Sequence, residues 1–320
     1  MANAALRLAR GRAPGKVIVL GEHAAVYGRP AVAAAIDRWV DVALMQASYG
    51  RSEVVDDPRF AEAFARAARL VGTSCSEVSA QIASDLPQAM GLGSSAALSV
   101  ALLRAFANFA GRDLPITELN AHALEVEAVF HGTPSGVDNS AVVFGGVIRF
   151  QRDTAVQPLP LAYSVPLVIA LGTAPRLTKQ VVAALRERWT ADPNTYERRF
   201  DEIAWLVADA EGSLASGDFA ELGLLMNTNH GLLHSLGVSS DELESMVALA
   251  RSHGALGAKL TGGGGGGAII CLCPDPRESL IRAFADAGWQ AFSTDITDGG
   301  RGVDGRNAAA RHERGVATRA

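Results

Sequence analysis

The sequence predicts an α/β or α+β fold, because segments with strand-like and helix-like apolar patterns are mixed along the chain. Residues 78–84, VSAQIAS, alternate apolar and polar side chains, which is typical of a strand with one face in water. Such strands favour a sheet with one exposed or lightly covered face over a fully buried parallel sheet. The 320 residues, 48% of them hydrophobic, can bury a sizeable core and favour two domains over one.

In the first half of the chain, the elements are predicted in the order strand, strand, helix, helix, strand. The first strand is KVIVL, which starts at Lys16 and leads into a glycine-bounded turn, GEHAAVYG. The helix after Ser95 is indicated by apolar residues at near-helical spacing, namely Leu98, Leu102, Leu103, Phe106 and Phe109. Thr117 is expected to cap the next helix, which Gly132 ends, and residues 141–150, AVVFGGVIRF, are expected to form a strand.

A proline-containing stretch, QPLPLAYSVP, marks the predicted domain boundary at about residue 165, with domains at 1–165 and 166–320. Beyond it we expect the strand VPLVIAL, several helices within residues 178–253, a run of six glycines and the strand AIICLC. The tail from Gly302 is rich in Arg, Ala and Gly, a composition that disordered segments share.

Charge and cysteine content exclude several classes of protein. The net charge of −5 argues against a nucleic-acid-binding surface, which normally carries a basic patch. Three cysteines form no disulfide framework, so we expect a reducing, cytoplasmic setting. The N-terminus lacks the apolar core of a signal peptide, and no apolar stretch has the length of a membrane span. We therefore expect a protein that neither spans a membrane nor binds nucleic acid.

A glycine- and serine-rich loop precedes the helix at Ser95, and it consists of Gly91, Leu92, Gly93, Ser94 and Ser95. A helix N-terminus leaves backbone N–H groups unpaired, and small residues allow a phosphate to approach them. The loop formally matches G-x-G-x-x-G/A, but the strand before it alternates, which is unlike a dinucleotide-binding unit. No lysine follows the glycines, so the Walker pattern also fails. A phosphate site and a simple helix cap both stay open from the loop alone.

Three further stretches change that balance, namely APGKVIVLGEH at 13–23, EAVFHGTPSGVDN at 127–139 and KLTGGGGGGA at 259–268. Together with the loop they resemble the GHMP kinases, a family named for galactokinase, homoserine kinase, mevalonate kinase and phosphomevalonate kinase. The likeness runs through most of residues 13–273 and is greatest to the mevalonate kinases. It implies a two-domain α+β fold, with an N-terminal domain like ribosomal protein S5 domain 2 and a ferredoxin-like C-terminal domain. It also implies ATP-dependent phosphorylation of the C5 hydroxyl of mevalonate.

The resemblance assigns roles to residues that have ordinary structural explanations as well. It places Lys16 against the acceptor hydroxyl and the catalytic aspartate Asp138, although a lysine at a strand end is usually solvated and an aspartate there commonly forms an Asx-turn. Glu22 and His23 would line the substrate pocket. The six glycines could be a flexible linker by composition, but their short flanking strands favour a loop that closes over phosphates.

The same resemblance implies a metal site. Ser95 and Glu127 would hold Mg²⁺ as two hard oxygen ligands, completed by phosphates and water. Glu127 stands in the last turn of its predicted helix, where exposed acidic residues are also common. His131, one turn later, is expected to be a structural residue at the helix end.

Two other functions stay open from the sequence. The chain could be another GHMP kinase, acting on a sugar, homoserine or phosphomevalonate, or a catalytically silent ligand-binding protein with the kinase fold. Retention of Lys16, Glu127 and Asp138 together argues against a silent protein. Thr133, where the family pattern often has Asn, and the uninterrupted glycine run depart from that pattern. The resemblance leaves a monomer and a homodimer equally open.

Overall fold

The computed structural model describes residues 8–46, 57–76, 78–173, 178–274 and 276–298, so the arginine-rich tail discussed above lies outside the described residues. The first half of the chain contains β1 (Leu8–Leu20), a 3-10 helix (Ala24–Tyr27), β2 (Ala31–Gln46), α1 (Pro58–Val71), β3 (Val78–Ser84), α2 (Ser94–Ala110), α3 (Ile116–His131), α4 (Val137–Phe144), β4 (Val147–Phe150) and β5 (Gln157–Pro158). The second half contains β6 (Val165–Leu171), α5 (Thr178–Ala191), α6 (Pro193–Ser216), α7 (Phe219–Ser235), α8 (Asp241–Ser252), β7 (Gly257–Thr261), β8 (Ala268–Leu272), α9 (Arg277–Asp286) and β9 (Gln290–Ile296).

The first sheet is organised around the long strand β2. It pairs antiparallel with β1 on one side, and on the other side with β4 near its start and β3 near its end. Helix α2 covers this sheet closely at Gly11, where an added Cβ would lie 2.0 Å from the carbonyl oxygen of Ala101. Any side chain at Gly11 would therefore push α2 away from the strand that carries Lys16.

The second sheet has the strand order β7, β8, β6, β9, and all of its pairs are antiparallel. This is the strand order of a ferredoxin-like sheet, with α5 to α8 inserted between its first two strands in sequence. Both sheets are antiparallel, so the α+β alternative is confirmed and the α/β alternative is wrong.

Several predicted elements are confirmed with their approximate bounds. The alternating segment at 78–84 is β3, the helix after the glycine loop is α2, and VPLVIAL is β6. The helices expected within 178–253 are α5 to α8. Strands β2, β5 and β9 and helices α1 and α9 were not identified from the sequence.

Two predicted details are wrong. Residues 141–150 do not form one strand, because their first part completes α4 and only Val147–Phe150 is a strand. Helix α4 buries most of its eight residues, and a short apolar run of this kind has no periodicity that separates a buried helix from a buried strand. Thr117 does not cap α3, which starts at Ile116 after Pro115, so this threonine lies inside the first turn.

The two sheets share one apolar cluster. It contains Val19 and Val42 from the first sheet together with Ile169 and Ile270 from the second. The predicted domain division at about residue 165 falls between the sheets and stays a prediction. No helix in the described part of the chain combines the length and apolar character that a bilayer crossing requires.

Candidate active site

The glycine- and serine-rich loop leads directly into α2. Gly93 precedes the helix with φ 77°, and the first helical hydrogen bond runs from the Ala97 N–H to the Gly93 carbonyl at 2.8 Å. The backbone N–H groups of Ser94, Ser95 and Ala96 therefore precede the helical hydrogen-bond ladder. Gly93 occupies the N-cap position, and no side chain makes a capping hydrogen bond. The alternative that Ser94 or Ser95 caps the helix is therefore wrong. The arrangement suits an anion at the helix N-terminus.

Lys16 joins this loop to Asp138. Its side chain is only 1% exposed, and Nζ donates to the Gly91 carbonyl at 3.1 Å and lies 2.8 Å from Asp138 Oδ1. The Lys16 backbone N–H also donates to the Leu92 carbonyl at 2.9 Å. At Gly93 an added Cβ would lie 2.7 Å from Cγ of Lys16, so glycine leaves the space that the lysine side chain occupies. A buried ammonium is thus held between the glycine- and serine-rich loop and a carboxylate.

Asp138 lies in the first turn of α4, where the sequence had suggested a connecting turn before a strand. The aspartate side chain is 30% exposed, so it faces Lys16 on one side and remains accessible on another. A helix N-terminus favours a nearby negative charge through the helix dipole. Asp138 is therefore a carboxylate fixed by a helix and a lysine and still reachable by a small molecule.

Glu127 is buried, which excludes the alternative of an exposed helix residue. Its side chain is 2% exposed, and Oε2 has no hydrogen-bond partner among the residues that the structure describes. Burial raises the pKa of Glu127 to about 8, with a further increase from the Asp138 charge that Lys16 opposes. A buried carboxylate oxygen without a partner, close to a second carboxylate, fits a hard divalent cation such as Mg²⁺.

Ser95 makes a contact that the sequence analysis missed. Its hydroxyl shares a hydrogen bond of 2.9 Å with Nε2 of His131, which lies one turn after Glu127 on α3. His131, which was expected to be a structural residue at the helix end, therefore contacts the glycine- and serine-rich loop. The i,i+4 spacing of Glu127 and His131 was the signal, because it places both side chains on one face of a helix.

Glu22 and His23 lie in the turn after β1. Glu22 is fully buried and contacts the ammonium of Lys259, and its Oε2 accepts from Asn229 Nδ2 at 3.1 Å. Desolvation raises the pKa of Glu22 and lowers that of Lys259, while their mutual attraction opposes both changes. His23 is 7% exposed and has the left-handed φ of 61°. The predicted role of this turn in lining a substrate pocket stays a prediction, and Lys259 was not singled out from the sequence.

The six glycines form the hairpin loop between β7 and β8, so the linker alternative is wrong. Thr261, just before this loop, accepts from the Ile18 N–H at 2.9 Å and donates to the Ile18 carbonyl at 3.1 Å. The loop packs on the turn between α7 and α8, since an added Cβ at Gly264 would lie 2.0 Å from the Val238 carbonyl oxygen. The glycine loop therefore starts beside the strand that carries Lys16.

Comparison with known proteins identifies two segments of the chain. The family model described as GHMP kinases N terminal domain matches residues 59–146, and the one described as GHMP kinases C terminal matches residues 210–289. The first segment contains the glycine- and serine-rich loop, Glu127 and Asp138, and the second contains the glycine hairpin. Lys16 and Glu22 lie outside both matches.

Similar proteins cover nearly the whole chain. The chain is 32% identical to the mevalonate kinase of Thermococcus onnurineus, with 91% of this chain and 97% of the relative covered. It is 35% identical to the mevalonate kinase of Methanothermobacter thermautotrophicus, with 89% and 96% covered. The crystal structure of L. major mevalonate kinase in complex with R-mevalonate matches with a TM-score of 0.79 at 28% identity, covering 93% of this chain and 98% of that one. This chain and the L. major enzyme share the two-domain α+β architecture.

Proposed function

This chain belongs to the GHMP kinase family of ATP-dependent small-molecule kinases, and we propose that it phosphorylates the C5 hydroxyl of mevalonate. The observation that carries the proposal is Lys16, whose buried ammonium connects the phosphate loop to Asp138 at 2.8 Å. Identity of 32–35% to mevalonate kinases over about nine-tenths of the chain supports the choice of substrate.

Each residue of the site has a role in this reaction. The backbone N–H groups at the start of α2 bind the β- and γ-phosphates of ATP. The acceptor hydroxyl oxygen attacks the γ-phosphorus while the bond to the bridging oxygen of ADP breaks, and the hydroxyl proton passes to Asp138 or is oriented by it. Lys16 holds Asp138 in place and offers positive charge where negative charge accumulates. Phosphoryl transfer depends mainly on such positioning and charge stabilisation.

Ser95 and Glu127 would hold Mg²⁺, which supplies neutralisation of phosphate charge when bound. The unpartnered Oε2 of Glu127 supports this assignment. The Ser95 hydroxyl can donate its hydrogen to Nε2 of His131 and still offer oxygen lone pairs to a cation. His131 would then orient the Ser95 hydroxyl, and Glu127 would bind the cation as a carboxylate.

The substrate proposal is tested by comparing kcat/KM for mevalonate, phosphomevalonate, galactose and homoserine with ATP and Mg²⁺. We expect mevalonate to give the highest value. If another acceptor gives the highest kcat/KM, the protein is a small-molecule kinase but mevalonate is not its substrate. No ATP turnover with any acceptor would favour the catalytically silent alternative.

The cellular setting and assembly belong to the proposal as well. We propose a cytoplasmic enzyme, supported by free cysteines at positions 75, 271 and 273. No second subunit is required for the chemistry, because Lys16, Ser95, Glu127 and Asp138 all come from one chain.

A further inference from the structure

The turn after β1 continues into a segment that lies between the two sheets, residues 22–29, which we call the wedge segment. Ala24 packs into an apolar cluster with residues of the second sheet, such as Leu260. Its neighbour Ala25 packs into a different cluster, which includes Ile18 and residues of α4. The wedge segment therefore contacts the helix that carries Asp138 on one side and the second half of the chain on the other.

Besides Ala24, the side chains of Glu22, Tyr27 and Arg29 in the wedge segment contact the second half of the chain. Lys259 and Asn229 bind Glu22 at its start. Tyr27 stacks on Phe200 with ring centroids 4.3 Å apart. Arg29 binds Asp201 on α6 with both Nε and a terminal guanidinium nitrogen, at 3.0 and 2.8 Å. The first of these contacts differs from the others because it is completely buried.

Both oxygens of the Glu22 carboxylate are engaged inside the protein. Oε1 contacts the Lys259 ammonium and Oε2 accepts from Asn229, and all three side chains are shielded from solvent. The Lys259 ammonium also donates to the Leu260 carbonyl at 2.7 Å. A charge pair buried in this way is strongly destabilising when one partner is removed, because the other charge is left uncompensated. The carboxylate of Glu22 thus binds protein groups where a substrate contact had been expected.

The strand that carries Lys259, β7, is hydrogen-bonded to side chains of helix α7. The side chain of Asn227 on α7 accepts from the Ala258 N–H and donates to the Leu256 carbonyl, each at 3.0 Å. On the next turn of α7, the ring Nδ1 of His230 accepts from the Leu260 N–H at 3.3 Å. Helix α7 and strand β7 therefore form one unit on both sides of Lys259, and this unit determines where the ammonium lies.

The residue that Glu22 precedes has an unfavourable backbone conformation. His23 has φ 61° and ψ −48°, which residues with a Cβ rarely adopt. Such a conformation persists only where surrounding contacts enforce it, and it is often found at functional positions. The buried network fixes Glu22, and hydrogen bonds from the Ala24 and Val26 N–H groups to the Glu22 and His23 carbonyls fix the turn beyond it.

We propose that Lys259 is a positioning residue, which neutralises Glu22 and thereby holds His23 in its left-handed conformation, in the turn that the sequence resemblance places at the acceptor pocket. The inference rests on the proposed function for the identity of that acceptor. Glu22 acts through the turn and makes no direct contact with the acceptor. Lys259, in the second half of the chain, controls acceptor binding at a turn that lies 237 residues earlier in the sequence.

The test is a double-mutant cycle with Glu22→Gln, Lys259→Met and the double variant. Each single change leaves one buried charge without its partner, and we expect kcat/KM for mevalonate to fall about 10- to 100-fold through misplacement of the turn. We expect the rise in KM for mevalonate to exceed the fall in kcat, with KM for ATP unchanged. In the double variant neither position 22 nor position 259 carries a charge, and the glutamine side chain can still accept the hydrogen bond from Asn229. We therefore expect the double variant to recover most of the lost kcat/KM. If the carboxylate itself binds mevalonate, the double variant stays as impaired as Glu22→Gln, and the proposal is wrong.

A measurement without substrate separates this proposal from the proposed function. The imidazole NMR signals of His23, assigned by their loss in His23→Gln, should move in both single variants and return in the double variant. Unchanged His23 signals in both single variants overturn the proposal, whatever acceptor the enzyme uses. If Lys259→Met does not fold, the comparison of Glu22→Gln with the double variant still tests the proposal. Recovery of kcat/KM in the double variant indicates that Glu22 supports the turn, and no recovery indicates that Glu22 binds mevalonate directly.

Arg29→Gln is the matched control, because it weakens the contacts of the wedge segment at the end opposite to Glu22. Arg29→Gln removes the ion pairs with Glu197 and Asp201 at a partly exposed position. We expect it to lower the melting temperature and to leave KM for mevalonate unchanged. A comparable rise in KM for Arg29→Gln would show that any loosening of the wedge segment impairs acceptor binding, and the specific role of Lys259 would be rejected.

Discussion

Glu127 gives a prediction in which stability, and not activity, reports on the metal site. Burial and the neighbouring Asp138 charge raise its pKa to about 8, from an ordinary value of 4.5. Between pH 4.5 and 8 the unfolded chain releases this proton while the folded chain keeps it. Because the unfolded state then binds fewer protons, the free energy of unfolding falls as pH rises through this range and levels off above it.

The size of this effect follows from the two pKa values. At about 1.4 kcal/mol for each pKa unit, the metal-free protein loses up to about 5 kcal/mol of stability by pH 8. Glu127→Gln removes the titrating group and keeps the shape, so it should be more stable than the natural protein at pH 8 and similar to it at pH 5. For a chain of this size about 5 kcal/mol corresponds to a rise in melting temperature on the order of 10 °C.

Thermal unfolding in the presence of a chelator, at pH 5, 6.5 and 8, measures the difference. Glu125→Gln is the matched control, because that glutamate lies on the same helix with 59% of its side chain exposed, and the variant keeps Glu127, so its stability should fall with pH as that of the natural protein does. Added Mg²⁺ at pH 8 should stabilise the natural protein more than Glu127→Gln. A stability difference that does not grow between pH 5 and pH 8 would refute the reasoning, since Glu127 would then be ionised in the folded protein.

Three further substitutions test the reaction itself. Asp138→Asn should lower kcat by about 10²- to 10⁴-fold with little change in ATP affinity, and a variant that keeps most of its turnover would show that Asp138 is not the base. Ser95→Ala should raise the Mg²⁺ concentration needed for half-maximal activity, and an unchanged metal titration would remove Ser95 from the metal site. Gly93→Ala should lower both kcat and melting temperature, because its Cβ would lie 2.7 Å from Lys16 and its φ is 77°, and unchanged kcat would show that the lysine can move aside.

The parts of the site that sequence motifs predict are those built from neighbours in the chain. Residues 91–95 and the start of α2 form one continuous stretch, so glycine content and helical periodicity were enough to locate the loop and the helix start, while its use as an anion site stays a prediction. Glu127 and His131 are also local to one helix, yet the role of His131 was missed because its partner Ser95 lies 36 residues earlier. Burial was missed as well, since the position of Glu127 near the end of a helix suggested exposure.

The short helix α4 shows a different limit. Its apolar run and adjacent glycines are compatible with a strand or a buried helix, and only packing against the first sheet selects the helix. That choice places Asp138 at a helix N-terminus facing Lys16. The catalytic role of Asp138 stays a prediction, and the sequence missed its position in the first turn of a helix.

The buried pair of Glu22 and Lys259 was only partly detectable by charge accounting. Lys259 interrupts the strand GAKLT, all five residues of which are buried, and Glu22 follows the buried apolar end of β1, VIVL. A charge inside such a run requires a partner of opposite sign, because an isolated buried charge is too costly. Charge accounting predicts a partner for each buried charge but does not choose it, since Lys16 is buried in the same run as Glu22, and the 237 residues between Glu22 and Lys259 hide their contact from any local pattern. The fold was needed to show that the two halves of the chain meet at Glu22.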